Sequence, residues 1–248
     1  MSYNLLIYKD NRIIEASYRL TLREQRLVLL CISQINALEK LNENKVFTIT
    51  ANEYSQVFGG DPKNAFRDMK EAMDLLFDRF IKVIVSDNRR EEFRWISKKS
   101  TILSNQSVEI RFTADIAPYL HNLKGNFTKY HFLHVRTMTS VFSIRIYEML
   151  MQWKTKRTLT LSLDQLRDRL QINNKYTAFA NIKQKIIEPA VTEINACTDI
   201  LVSYDLRKAG RKVSDIVFSF QFKPGMEPKL NAKINPKTLL KALKKNLQ

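Results

Sequence analysis

The 248-residue chain has only five glycines, two cysteines and three histidines, and its longest uninterrupted apolar run, Leu27 to Ile32, is six residues. A membrane-spanning helix needs ~20 apolar residues, so none is expected. Met1 to Asn11 offers neither a sustained apolar stretch nor a small-residue cleavage site, so a signal peptide is not expected. Cys31 and Cys197 cannot make a disulfide scaffold. Cys31 falls on an apolar helix face and reads as core, and Cys197 follows a helix with no base beside it. A phosphate-cradling loop needs glycines beside a Lys and a hydroxyl. The one glycine pair, Gly59-Gly60-Asp-Pro-Lys, has no Gly-Lys-Ser/Thr and reads as a helix start, with Asp61 as N-cap and Pro62 at the first position.

The chain has a hydrophobic share of 44% and 10% aromatics, enough for packed cores and against a disordered chain. Lys and Arg total 41 against 25 Asp and Glu, a net charge of +16. Residues 1–125 account for only +3 of it, with 19 basic and 16 acidic side chains; residues 126–248, with 22 and 9, carry the remaining +13. Solubility explains a modest excess but not its concentration in one half, which points to a polyanion. Nucleic acid is favoured over an anionic membrane, because no basic amphipathic helix with an aromatic face stands out. A soluble, cytoplasmic, basic protein is expected.

Glycines mark the breaks, at Gly59, Gly60, Gly125, Gly210 and Gly225. They divide the chain into units at 1–125 and 126–225, followed by a basic polar tail, 226–248. In the first unit the pattern predicts a helix from Leu22 to Leu38, a strand from Lys45 to Ile49 and a short helix from Ala51 to Phe58. A long helix from Lys63 to Phe80 follows, then strands Ile81 to Ser86, Phe93 to Leu103 and Val108 to Phe112. In the second it predicts a helix from Ser140 to Lys154, a strand from Thr158 to Leu161 and a short helix from Leu163 to Leu170. After a turn at Asn173-Asn174 a long helix runs to Ala196, and strands Ile200 to Leu206 and Val213 to Phe222 close the unit.

The units match residue by residue. Thr50-x-x-Glu53 and Ser162-x-x-Gln165 are capping boxes, 112 residues apart and each opening a short helix. Phe66, Met69, Lys70 and Met73 correspond to Phe179, Ile182, Lys183 and Ile186 at an offset of 113. An internal duplication explains agreement across strand, cap, turn and helix. The fold class is α+β, two tandem winged helix-turn-helix domains, in which the second helix enters a major groove and the hairpin wing follows the backbone. Winged helices also serve as protein-interaction modules; two copies and the charge excess favour DNA.

In the second unit's long helix, Phe179, Ile182, Ile186, Ala190 and Ile194 form the core stripe at helical spacing. The opposite face carries Asn174, Thr177, Asn181, Gln184 and Lys185, side chains able to pair with adenine and guanine edges. Lys175 and Tyr176, at the helix start, lie near a phosphate or groove edge, and Lys183 snorkels beside the stripe. Arg207, Lys208, Arg211 and Lys212 surround Gly210 at a hairpin tip, a phosphate-contacting wing. In the first unit Lys63, Asn64 and Arg67 open the long helix. Four acidic residues then follow it (Asp68, Glu71, Asp74, Asp78), and their repulsion of phosphate predicts shallow, backbone-directed contact. The first unit's wing is unclear: Arg89-Arg90 runs into Glu91-Glu92, and Lys98-Lys99 is a separate cluster.

A zinc site would have to use His121, His131 and His134. His131 and His134 are expected on opposite faces of a strand-like stretch with no Cys nearby, so no metal or cofactor is expected. Rolling-circle nicking initiators use two histidines flanking one residue, plus a nucleophilic Tyr. Here the histidines flank two residues, Phe132 and Leu133, so no catalytic residue is assigned and the protein is not read as an enzyme.

Leu20-Thr-Leu-Arg-Glu-Gln-Arg-Leu27, Ile187-Glu-Pro-Ala-Val-Thr-Glu-Ile-Asn195, and Lys208-Ala-Gly-Arg-Lys-Val213 with Ile216-Val-Phe-Ser-Phe220 occur here in that order. They resemble the opening helix, second recognition helix and final wing of the iteron-binding plasmid replication initiators, over about residues 5–223. The resemblance implies monomers that bind directly repeated origin sequences and dimers that bind inverted repeats and repress the initiator's own promoter. It also implies contact with the host replicative helicase and host initiator, and residence on plasmid DNA in a bacterial cytoplasm. A winged-helix transcription regulator without a replication role is the alternative.

Overall fold

The structure, a computed structural model, describes residues 6–226 except 38 and 174. The chain opens with strand β1 (Leu6–Asp10) and helix α1 (Asn11–Glu15), then builds the first winged helix. Its elements are α2 (Leu22–Ser33), β2 (Phe47–Thr50), α3 (Ala51–Phe58), α4 (Pro62–Phe77), the hairpin β3 (Phe80–Ser86) and β4 (Arg89–Arg94), and strands β5 (Ile96–Ile102) and β6 (Ser107–Phe112). Strand β7 (Phe127–His131) and helix α5 (Phe132–Arg136) lead into the second. That unit comprises α6 (Val141–Gln152), β8 (Thr158–Ser162), α7 (Leu163–Leu170), and a long helix in three parts. Those parts are α8 (Phe179–Ile182), a π-helical turn (Lys183–Ile187) and α9 (Glu188–Cys197); the hairpin β9 (Ile200–Ala209) and β10 (Lys212–Phe222) completes it.

The repeat is visible in the sheets. The first unit's sheet has the order β2-β6-β5 and the second β8-β10-β9, all antiparallel. The wing of the first unit is therefore β5–β6, and the two-stranded β3–β4 hairpin is an insertion without a counterpart. The stretch expected as one strand from Phe93 to Leu103 is two strands that serve different sheets. They break at Trp95, which is fully buried edge-on against Tyr18, with ring centroids 5.0 Å apart. Alternation along the sequence could not show that change of partner.

Helix starts follow the capping chemistry. Thr50 and Ser162 each accept a hydrogen bond from the backbone N–H three residues on, while Glu53 and Gln165 reach back to the cap N–H. Asp61 caps α4 through the Lys63 N–H at 2.7 Å, with Pro62 at the first position. Helix α2 stops at Ser33, short of the expected Leu38, because the Ser33 hydroxyl bonds back to the Leu30 carbonyl and Gln34 closes the helix with a tighter turn. Leu38 itself lies outside the described residues.

The units are joined by shared elements. Strand β7 pairs antiparallel with β1, so the segment beyond position 125 is bonded to the start of the chain. Helix α6 is buried from Ser143 to Met151, as expected of a helix with neighbours on all sides. Its Glu148 lies in a buried network: Lys9 Nζ is 2.6 Å from Glu148 Oε1, Tyr130 donates its hydroxyl to the same oxygen at 2.6 Å, and Arg145 sits 3.7 Å from Oε2. Arg145 also donates to the Tyr18 hydroxyl and, at 2.8 Å, to the Ala16 carbonyl. Across the units, Ser17 donates to Asp168 and Gln152 to Glu15. One continuous apolar core runs through both.

Candidate nucleic-acid interface

The second unit's long helix presents the two faces expected of it, with differences at its start and at Ile187, which is buried as well. Ile182, Ile186, Ala190 and Ile194 are buried, Phe179 packs at the core edge, and Asn181, Gln184 and Lys185 are exposed. The helix, however, begins at Phe179 and not at the Asn173-Asn174 turn. Lys175, Tyr176 and Thr177 belong to the turn between the two helices. Gln171, in the left-handed region, ends α7; Arg167 donates to the Thr177 carbonyl at 2.7 Å, and half-buried Tyr176 packs on the core. Those ties hold the segment in a non-helical path. Lys175 and Thr177 remain exposed at the mouth of the helix, with the Lys175 ammonium 5.4 Å from the Tyr176 ring centre. Asn174 lies outside the described residues, as does the tail beyond Met226.

The second wing projects past its sheet. Strand β8 pairs β10 only from Asp215 to Ser219, while β9–β10 pairing continues to Ala209 and Lys212. Its two-residue loop starts with Gly210 at φ 62°, a sign of φ that hairpin turns ask of glycine. A bulge at Ser214, whose hydroxyl donates to the Arg207 carbonyl and to Asp215, bends the tip. Arg207, Lys208, Arg211 and Lys212 are all exposed there.

On α4, Ala65, Met69, Ala72, Met73 and Leu76 face the core, and Lys63, Asn64 and Arg67 are exposed at its start. The acidic residues expected to repel phosphate are each paired. Arg23 spans Asp68 at 3.2 Å and Glu71 at 3.0 Å, Lys99 holds Asp74 at 2.6 Å and Arg94 holds Asp78 at 2.9 Å. Those partners come from α2, β4 and β5, and no linear charge count could have found them. Lys70, exposed on the same helix and read from sequence only as a marker of the repeat, adds a further cation. The first wing differs from the second. Lys98 and Lys99 lie on β5 beside Glu109 and Asp74, and the tip from Leu103 to Gln106 has no charge. The Arg89-Arg90 pair sits on the inserted hairpin, where Arg89 is 2.5 Å from Glu91.

His131 and His134 do not lie on opposite faces of a strand. Strand β7 ends at His131 and α5 begins at Phe132, which brings the rings to 5.5 Å between centres. Tyr147 donates to Asp199 at 2.8 Å and lies 2.9 Å from His134 Nδ1. Burial lowers both imidazole pKa values, against the opposing pull of Asp199. Among the described residues no group of three or more His, Cys, Asp or Glu is placed to hold a metal ion, and no helix is long and apolar enough to cross a membrane.

Residues 6–151 match the family model described as initiator replication protein, WH1, and residues 162–220 match initiator Rep protein, WH2. The chain belongs to the initiator replication protein family. It is similar to a replication initiation protein of Escherichia coli, 28% identical over 90% of this chain and 72% of that protein. It is also similar to the PI protein of Escherichia coli, 25% identical over 82% of this chain and 78% of the relative. Among solved structures, the Pi initiator protein in complex with iteron DNA covers 90% of this chain and 100% of its own, with a TM-score of 0.76 at 21% identity. The tandem winged-helix fold of this initiator is thus shared with that structure.

Proposed function

We propose that this initiator starts plasmid replication by binding directly repeated origin sequences as a monomer, with one recognition helix in each of two successive major grooves. The observation that carries the reading is two copies of one helix–turn–helix on a shared frame, each with an exposed face of amides and cations. The iteron DNA in the complex of the similar Pi initiator supports the choice of ligand. Asn181, Gln184 and Lys185, with Thr177 at the helix mouth, read base edges, and Asn174, an amide of the same sequence pattern, is assigned to the same role. Lys175, Tyr176, Arg207, Lys208, Arg211 and Lys212 hold phosphate. The unit at 126–225 thus serves base readout. The unit at 1–125 holds backbone through Lys63, Asn64 and Arg67, and supplies the dimer surface. With its acids paired, this division rests on the uncharged tip of the first wing and not on repulsion by α4.

As a dimer the initiator binds inverted repeats, since a two-fold protein matches a two-fold site, and represses its own promoter. The host helicase and host initiator join it at the origin, in the bacterial cytoplasm. It acts by binding and not as an enzyme. A plasmid carrying only this gene and its adjacent repeat array, with no other initiator, is expected to be maintained. Loss of that plasmid with intact repression of the promoter would make the chain a transcription regulator instead.

A further inference from the structure

The long helix of the second unit contains a π-helical turn from Lys183 to Ile187, directly before Glu188-Pro189. Its cause is in the sequence. Proline has no N–H to give the carbonyl four residues back, here Lys185, and its ring crowds that carbonyl. The chain responds by widening one turn, so that the Glu188 N–H donates to the Lys183 carbonyl, five residues back. Such turns are rare and concentrate at functional sites.

The wide turn changes which residues share a face. At ~100° per residue, an unbroken α-helix would put Ile187 ~140° around from Ile182, yet both are fully buried. Inserting one residue into the turn brings Ile182 and Ile187 onto the same side, together with Ile186, Ala190 and Ile194. The half of the helix after the turn is held firmly. Ala190 and Ile194 are in the core, and the Glu193 carboxylate accepts from the Thr139 N–H at 2.5 Å, the Thr139 hydroxyl at 2.8 Å and the Ser140 N–H at 3.3 Å. With that half fixed against the start of α6, the direction in which Asn181 points depends on how many residues the turn contains.

We infer that Pro189 is a positioning residue for base recognition: through the π turn it sets the rotation of Asn181, Gln184 and Lys185 about the helix axis. The inference rests on the reading of those three side chains as base contacts. Proline itself faces away from the core and is exposed, so its effect on the DNA contacts is transmitted by the backbone alone. In Pro189→Ala the restored N–H can bond to the Lys185 carbonyl and close the turn, which rotates the upstream segment by up to ~100°. Deleting Lys183 in the same background removes the surplus residue. Ile187 then follows Ile182 at the i+4 spacing of an ordinary helix, and Asn181 returns to its original bearing.

The test uses the full chain, a duplex selected by it from a random 22-base-pair library, all single-base variants of that duplex, and a scrambled duplex. Pro189→Ala is expected to lose tenfold or more of the preference for the selected over the scrambled duplex, a loss typical of a misplaced bidentate contact, with an unchanged salt slope. The deletion variant is expected to recover the preference at the base pair whose readout Asn181→Ala abolishes. A Pro189→Ala protein with the original base preferences would overturn the inference. So would one weakened equally on every duplex with a lowered melting temperature, which marks a structural role alone. If Asn181→Ala, Gln184→Ala and Lys185→Ala all leave the base preferences intact, the base-reading assignment itself fails and takes this inference with it.

Discussion

At Glu148 two cations, Lys9 and Arg145, and the Tyr130 hydroxyl converge on one carboxylate with no access to water. Removing one member of a buried ionic group leaves its partners desolvated and unpaired, at a cost of ~3–5 kcal/mol. Glu148→Ala is therefore expected to lose about that much in urea denaturation, whereas the Lys9→Met, Glu148→Leu pair recovers a large part of it. Equal losses in the single and double variants would show that packing, and not charge, sets the cost. On the exposed surface the expected signatures differ by residue. Lys208→Ala or Arg211→Ala should weaken binding to all duplexes alike and lower the slope of log K against log salt by ~1. Lys185→Ala should cost ~1–3 kcal/mol and relax preference at one base pair. Binding titrations across single-base variants separate the two. Arg67→Ala relaxing specificity while Lys185→Ala lowers affinity uniformly would reverse the roles of the two units.

Among the elements, the two capping boxes are equivalent in sequence and in geometry, so Thr50→Ala and Ser162→Ala are each expected to cost ~1 kcal/mol of stability. The short segment from β7 into α5 has a pH response. Burial lowers the His131 and His134 pKa values below the usual imidazole value of ~6.5, so the unfolded chain binds protons that the folded one resists. Their contribution to stability is then present above about pH 6.5 and is lost progressively as the pH falls below it. The His131→Gln, His134→Gln variant should flatten that slope in denaturation curves taken across this range.

Elements whose cause is local were legible in the sequence: the capping boxes, the Asp61-Pro62 helix start, the basic hairpin around Gly210 and the stripe from Ile182 to Ile194. What escaped depended on partners distant in sequence. Trp95 breaks a strand by switching sheets, and Arg23, Lys99 and Arg94 neutralise acids on α4. Arg167 holds Thr177 out of the helix, and β1 pairs with β7. The π turn had a local signal in Pro189, but its place inside a strongly periodic segment concealed the added residue, which the Glu188 N–H bond to the Lys183 carbonyl and the burial of Ile187 reveal.

Over the whole molecule, the shared helix α6, the β1–β7 pairing and the contacts of Glu15, Ser17 and Arg145 fix one winged helix against the other before DNA is met. A frame of this kind suits a fixed spacing between two major-groove contacts, which on one face of B-DNA is ~10–10.5 base pairs, giving a site of about 20. On the proposed reading direct repeats then suffice, because each monomer carries two winged helices. Hydroxyl-radical footprinting of the full chain on the selected duplex, at one protein per site, measures that claim most directly. The account expects two protected stretches on one face, centred ~10–10.5 base pairs apart. Protection of a single half-turn by a fully bound monomer would contradict it.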